Sequence, residues 1–227
     1  MNIAGLQKTT LLDYPGKVAC TVFLQGCNFR CPFCQNSEIL GGGEGDVSEE
    51  EFFSFLKKRQ GILDGVCVSG GEPLVQDVTE FLQKIKALGY FVKLDTNGAF
   101  PKKLKELCGA HLVDFVAMDI KNSPQNYAKT AGVPVDLAAI EESAAFLLAG
   151  SVGYEFRTTV VKELHKGEDF VCIGQWLRGA NRYFLQTFRD SERVLKRGLT
   201  PCTDAQMQAF KQLLKPFIPN VLLRGEE

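Results

Sequence analysis

Gly26-Cys27-Asn28-Phe29-Arg30-Cys31-Pro32-Phe33-Cys34 is the stretch on which the reading of this chain turns. Its cysteines follow a Cys-x3-Cys-x2-Cys spacing, and no fourth cysteine or histidine lies close enough in sequence to complete a set. Three thiolates suit a cubane iron–sulfur cluster, because each takes one iron corner and the last corner stays open to a substrate or cofactor. Structural zinc wants four protein ligands and here would have to borrow a remote one, the nearest histidine being His111. Zinc and simple packing of the thiols stand as the competing readings.

Outward from this loop the chain alternates strand and helix signals. Val18 to Gln25 is apolar and β-branched, a first strand leading into the cysteines. Ser48 with Glu51 forms a capping box for a helix whose buried stripe is Phe52, Phe53 and Leu56. Val66 to Ser69 is a second strand. A helix from about Leu74 follows, with Val78, Phe81, Leu82, Ile85 and Leu88 at helical spacing and Gly89 as its stop. Phe91 to Asp95 is a third strand, Pro101 starts a short helix to Leu107, and Val113 to Met118 is a fourth strand. A helix over Asp136 to Leu148, a strand over Tyr154 to Val161, a helix around Phe170 to Leu177 and a strand over Tyr183 to Gln186 continue the pattern. Thr203 with Gln206 makes a second capping box for a last helix to about Lys215, and Val221 to Leu223 adds an edge strand.

Six strand–helix repeats need crossover connections and therefore a parallel sheet. Six is too few for a closed eight-stranded barrel. The expectation is an α/β fold, an open, partial (β/α)6 barrel in a single domain over residues 1–227. Its core spans about 13–188, and the C-terminal helix and edge strand fall within 203–227. Gly41-Gly42-Gly43 reads as a loop, and no linker, repeat or low-complexity segment divides the chain.

Composition narrows the function classes. A chain of 227 residues with 45% hydrophobic content buries one sizeable core without disulfides. A formal charge of −1 gives no electrostatic case for nucleic acid or a membrane surface. Residues 157–227 hold 12 Lys/Arg against 8 Asp/Glu, read as a solvated face. Met1 to Gly5 lacks a signal-peptide start, and no run reaches the length of a membrane span. Eight cysteines without an extracellular signal point to a reducing cytoplasm. Cys20, Cys67, Cys108 and Cys172 sit in apolar contexts as packed thiols, and nothing near Cys202 marks a second cluster. His165 reads as a solvated loop histidine and His111 as structural.

The polar residues that interrupt the apolar runs fall at the carboxyl ends of strands, where parallel α/β folds place their ligand sites. The cysteine loop follows the first strand, Gly70-Gly71-Glu72-Pro73 the second, Asp95-Thr96-Asn97-Gly98 the third, and Asp119-Ile120-Lys121 the fourth. Each has an ordinary turn as its alternative. The glycine pair also lets a ligand approach bare backbone, and Glu72 can accept from an ammonium group. Asp119 and Lys121, two apart on a strand, share one face.

Cys27-x3-Cys31-x-Phe33-Cys34, together with Gly70-Gly71-Glu72-Pro73, resembles the radical S-adenosylmethionine (radical SAM) superfamily, with the match spanning at least residues 13–121. The resemblance implies one 4Fe–4S cluster held by Cys27, Cys31 and Cys34, its free iron chelated by the amino and carboxylate groups of SAM. It further implies Gly70, Gly71 and Glu72 at the methionine amino group and Phe33 beside the adenine. Asp13-Tyr14-Pro15-Gly16-Lys17 is similar to a segment of glycyl-radical-enzyme activases, departing from it at Tyr14 and Lys17. With Leu24-Gln25-Gly26 before the cluster, it most resembles the longer form of anaerobic ribonucleoside-triphosphate reductase activating proteins. Asp95, Thr96, Asp119, Lys121 and Arg157 match activase segments that contact SAM or a monovalent cation near its carboxylate. An arginine at the Arg157 strand position also serves simply to pair an inner carboxylate. Gln186 is placed to reach the ribose or to end its strand.

The activase resemblance implies a 5′-deoxyadenosyl radical that takes hydrogen from a glycine of a partner glycyl radical enzyme, namely anaerobic ribonucleoside-triphosphate reductase. Asp13, Tyr14 and Lys17 would meet the partner's loop, and flavodoxin or ferredoxin would donate the electron. Two other readings stay open. One is a radical SAM enzyme acting on a small molecule or peptide, for example in the manner of a 7-carboxy-7-deazaguanine synthase. The other is a non-enzymatic iron–sulfur electron carrier.

Overall fold

A computed structural model describes residues 1–41 and 43–224. Gly42 of the expected glycine loop and residues 225–227 of the expected C-terminal region lie outside the described residues. The architecture is α/β with a mostly parallel, open sheet, and strand order follows chain order within each of two compact units.

The first unit comprises residues 1–28, 38–96 and 100–117. It opens on β1 (Ile3–Thr10), which runs antiparallel to β2 (Ala19–Leu24), with Thr10 opposite Ala19. Sequence patterning misses β1 because only its two end residues are fully buried, so no period-two alternation survives. β2 pairs in parallel with β3 (Gly65–Gly70), and β3 with β4 (Phe91–Thr96). The crossovers are α1 (Glu49–Lys58), α2 (Thr79–Ala87) and α3 (Pro101–Gly109).

The Ser48–Glu51 capping box forms as the sequence dictates, with each side chain serving the other's backbone N–H. Phe52 and Leu56 are buried, whereas Phe53 is half-exposed and only flanks the stripe. Phe52 stacks on Phe81 of α2 at 5.2 Å, and each such buried side chain contributes roughly 1.5–3 kcal/mol. α2 starts later than its apolar spacing indicates. Glu72-Pro73 commits the chain to a short 3-10 turn over Pro73–Val75, and the regular helix begins at Thr79.

The second unit comprises residues 29–37, 97–99 and 118–227, of which 118–224 are described. β5 (Phe115–Asp119) carries the chain into it. There follow α4 (Tyr127–Ala131), α5 (Leu137–Leu148), β6 (Gly153–Val160), α6 (Gly167–Trp176), β7 (Tyr183–Thr187), α7 (Asp204–Leu214) and β8 (Val221–Leu223). β6, β7 and β8 pair in parallel. Phe170 of α6 stacks on Phe210 of α7 at 4.4 Å. Thr203 and Gln206 form their capping box. The five-residue α4 is too short to show a periodic stripe in sequence.

Among the described residues, no helix is long and apolar enough to cross a membrane.

Candidate functional site

In both units the singled-out polar residues gather at or just past the carboxyl ends of strands. In the first unit, Gly70 ends β3, and the chain turns back over the segment that leads from β2 to Cys27. Gly71 N–H donates to Leu24 O at 3.0 Å, and Glu72 N–H to Gly26 O at 2.9 Å. Gly70 has φ +121, and a Cβ there would lie 2.3 Å from Leu24 O. One on Gly71 would lie 2.1 Å from Gly26 O and 3.1 Å from Cys27 Cβ. The two glycines are therefore demanded by a backbone crossing that fixes the approach to Cys27.

Glu72 is wholly buried. Its Oε1 accepts from Leu74 N–H at 3.1 Å and from Thr96 Oγ1, at the end of β4, at 2.8 Å. Asp95, beside Thr96, accepts from Ser69 Oγ at 3.0 Å and from the Lys93 ammonium. Sequence reading passed over Lys93 and Ser69. The legible signal was a charge two residues before Asp95 inside an apolar strand, which puts both on one face.

The second unit carries Cys31, Phe33 and Cys34 in a tight turn, with Cys34 N–H donating to Cys31 O at 3.0 Å. Arg30 N–H donates to Ala131 O at 2.9 Å, which ties the loop to the end of α4. The segment after β7 runs along its other side, where Leu195 N–H donates to Cys34 O at 3.1 Å and Lys196 N–H to Pro32 O at 2.9 Å. Cys31 and Phe33 are buried, and Cys34 is half-buried. Burial pushes the Cys34 thiol above its ordinary value, against the pull of the Asn36 backbone and of the Lys121 and Arg30 cations. Burial thus works against loss of this thiol's proton.

Asp119 ends β5 and binds two cations from its two oxygens. Arg157 Nε of β6 donates to Oδ1 at 2.8 Å, and Lys121 Nζ to Oδ2 at 3.1 Å. Asp119 and Lys121 thus do share a face, and Arg157 takes the role of pairing an inner carboxylate. Burial disfavours the Lys121 ammonium, but Asp119, Cys31 and Tyr127 outweigh it and hold the lysine charged. Gln186 is half-buried on β7 opposite Thr159.

His165 corrects the solvated-loop reading. It is 3% exposed, its Nε2 lies 2.9 Å from Lys121 O, and Val161 N–H donates to Nδ1 at 3.1 Å. Burial lowers its pKa, so the ring is neutral and buttresses the backbone of Lys121. His111 is exposed in a left-handed conformation just past the end of α3, not in the core.

Tyr14 also differs from expectation. It is 3% exposed, packed 6.2 Å from the Phe115 ring, and so is a core side chain and not a surface contact. Asp13 accepts from Thr21 Oγ1 at 2.5 Å, and Lys17 Nζ sits 3.6 Å over the Phe91 ring. Because β1 is antiparallel to β2, the turn carrying these three residues falls beside the first residue of β2, at the amino ends of the strands.

All eight cysteines are thiols outside disulfides. Among the described residues, no three His, Cys, Asp or Glu side chains are drawn together as a group for one ion. The donor set, three thiols on an eight-residue stretch with a cation beside Cys31, fits an iron–sulfur cluster.

Comparison with known proteins agrees with this chemistry. The Radical SAM superfamily model matches residues 21–151. A Methanocaldococcus jannaschii protein whose name assigns it as a glycyl-radical enzyme activating enzyme is 28% identical over 230 residues, covering 98% of this chain and 95% of that protein. The pyruvate formate-lyase-activating enzyme of Listeria monocytogenes is 35% identical over 143 residues, 56% of each chain, so that match spans little over half of either. In fold, the chain is similar to Streptococcus suis SuiB bound to S-adenosylmethionine, with a TM-score of 0.69 at 12% identity over 88% of this chain and 48% of that one. Enzymes of the matched family use a 4Fe–4S cluster and S-adenosylmethionine. With the family match covering more than half of its length, including all three motif cysteines, the chain belongs to the radical SAM superfamily and is a radical SAM enzyme.

Proposed function

We propose that this enzyme is a glycyl-radical-enzyme activase whose partner is anaerobic ribonucleoside-triphosphate reductase. The observation that carries the reading is the near full-length similarity to a relative assigned that activating role. The protein is read as one radical SAM domain over 1–227, working in the cytoplasm with flavodoxin or ferredoxin as its electron donor.

Cys27, Cys31 and Cys34 are the cluster ligands in this proposal. A reduced cluster and SAM held there would supply one-electron chemistry for removing hydrogen from a glycine α-carbon. The chain's own residues bind and orient. The Gly70-Gly71-Glu72 turn, braced by the bonds of the buried Glu72 carboxylate to Thr96 and to Leu74 N–H, would hold the methionine amino group. Asp95 in the first unit, and Asp119 with Lys121 and Arg157 fixed on it in the second, are the residues that would serve the SAM carboxylate in this reading. Phe33 would serve the adenine and Gln186 the ribose. The Asp13–Lys17 turn lies at the amino end of β2, opposite the end that leads to Cys27, so Asp13 and Lys17 are not carried forward as contacts at the radical site, and Tyr14 packs in the core. Glycine suits as the substrate because no side chain blocks approach to its α-carbon.

The test is incubation of the reduced, reconstituted protein with SAM and the co-encoded reductase, read by electron paramagnetic resonance. A glycine-centred doublet is expected. Turnover of a metabolite, with no doublet on any co-encoded glycyl radical enzyme, would move the assignment to the small-molecule class.

A further inference from the structure

We propose that Lys93 is a built-in cation of the SAM site, so that Asp95 needs no bound monovalent metal ion. The inference rests on the placement of Asp95 in that site, as proposed above. Lys93 is wholly buried in the middle of β4, between the buried Val92 and Leu94. Its ammonium binds Asp95 Oδ1 and lies 3.8 Å from Cys67 Sγ. Asp95 Oδ2 accepts from Ser69 Oγ of β3 at 3.0 Å. Both carboxylate oxygens are thus engaged by donors of the same unit, one of them carrying a full positive charge.

Lysine is almost never fully buried unless it is paired. Stability is a poor reason for such a pair, since well-packed apolar residues of similar volume serve as well or better. Position is the better one. A carboxylate set beside the carboxylate of SAM repels it, and a counter-charge must lie between or behind them. An exchangeable ion supplies that charge only when ions are plentiful and several oxygen ligands are left for it. Lys93 supplies it permanently, from the strand that ends in Asp95-Thr96. It also fixes the Asp95 carboxyl plane, making Lys93 a positioning residue.

The experiment measures SAM affinity of the anaerobically reconstituted protein by isothermal titration. Potassium or sodium is exchanged for tetramethylammonium, an ion too large to enter, at constant ionic strength. Wild-type affinity should be the same in all three salts. Lys93→Ala should bind SAM about tenfold or more weakly in tetramethylammonium and regain affinity in potassium or sodium. Lys93→Met combined with Asp95→Asn removes both charges and should fold with near wild-type melting, with no response to the choice of cation. A wild-type affinity that rises with potassium would overturn the proposal, and that arm needs no variant to fold. A folded Lys93→Ala protein that keeps its affinity in tetramethylammonium would do the same. Because the readout is SAM binding, it is independent of whether a glycine doublet forms on any partner.

Discussion

Thr96 and Glu72 are joined inside the first unit by a 2.8 Å hydrogen bond, Thr96 Oγ1 donating to a carboxylate with no exposed surface. The bond links the end of β4 to the turn after β3, so the Gly70-Gly71-Glu72 turn proposed to hold the SAM amino group is braced from a neighbouring strand.

Thr96→Val keeps the side-chain shape and removes that donor. The buried carboxylate then lacks one of its hydrogen bonds, which costs about 1–3 kcal/mol of stability. SAM affinity should fall roughly tenfold as Glu72 loses its fixed direction. Thr96→Ser should restore both. Urea unfolding and SAM titration of the two variants check this.

Gly71→Ala should damage the approach to the cysteine loop. The added methyl would lie 2.1 Å from Gly26 O, a backbone atom that cannot swing aside. A destabilisation of about 1–3 kcal/mol is expected from the forced backbone shift. Iron uptake should drop with it, because the displaced segment ends in Cys27. Gly109→Ala, where a Cβ meets nothing within 4 Å, is the control and should change neither. Thermal melting and iron content after reconstitution decide the matter.

Replacing Cys27, Cys31 or Cys34 singly by alanine should abolish the cluster absorbance and all SAM cleavage. Cys202→Ala should leave both intact, since this buried thiol lies outside the motif. A Cys27→Ala protein with full iron and sulfide content would show that the ligand set is wrong.

His165 gives a pH dependence of defined sign. Its folded pKa is lowered by burial, whereas in the unfolded chain it takes the ordinary value near 6.5. Below about pH 6.5 the unfolded chain binds a proton that the folded one refuses, so stability falls as pH drops through that value. The slope approaches ~1.4 kcal/mol per pH unit until the folded pKa is reached. Urea midpoints between pH 7.5 and 5.5 should show this decline, and His165→Asn should flatten it.

The strand–helix alternation was legible because β2 to β4 and β6 to β7 are apolar runs bounded by turn residues, and because Ser48–Glu51 and Thr203–Gln206 mark their helices without tertiary help. β1 was not, since its buried ends are separated by six partly or fully exposed positions. In the candidate site, motif spacing pointed to the cysteines, and strand position to Asp119 and Lys121. Lys93 was hidden in an apolar run, because its meaning depends on the carboxylate that its strand pleat brings alongside. His165 was misread because a short loop segment does not show whether the chain folds over it. Tyr14 was misread because the motif-like turn around it fixes a neighbourhood and not a side-chain direction.

The cross-tie between Cys34 and Leu195, and its twin between Pro32 and Lys196, anchors the turn from Cys31 to Cys34 to a segment more than 150 residues downstream. The turn is thus a seat braced from outside its own stretch of sequence. Cutting the chain between Arg189 and Arg197 would leave every thiol in place yet let that seat go slack.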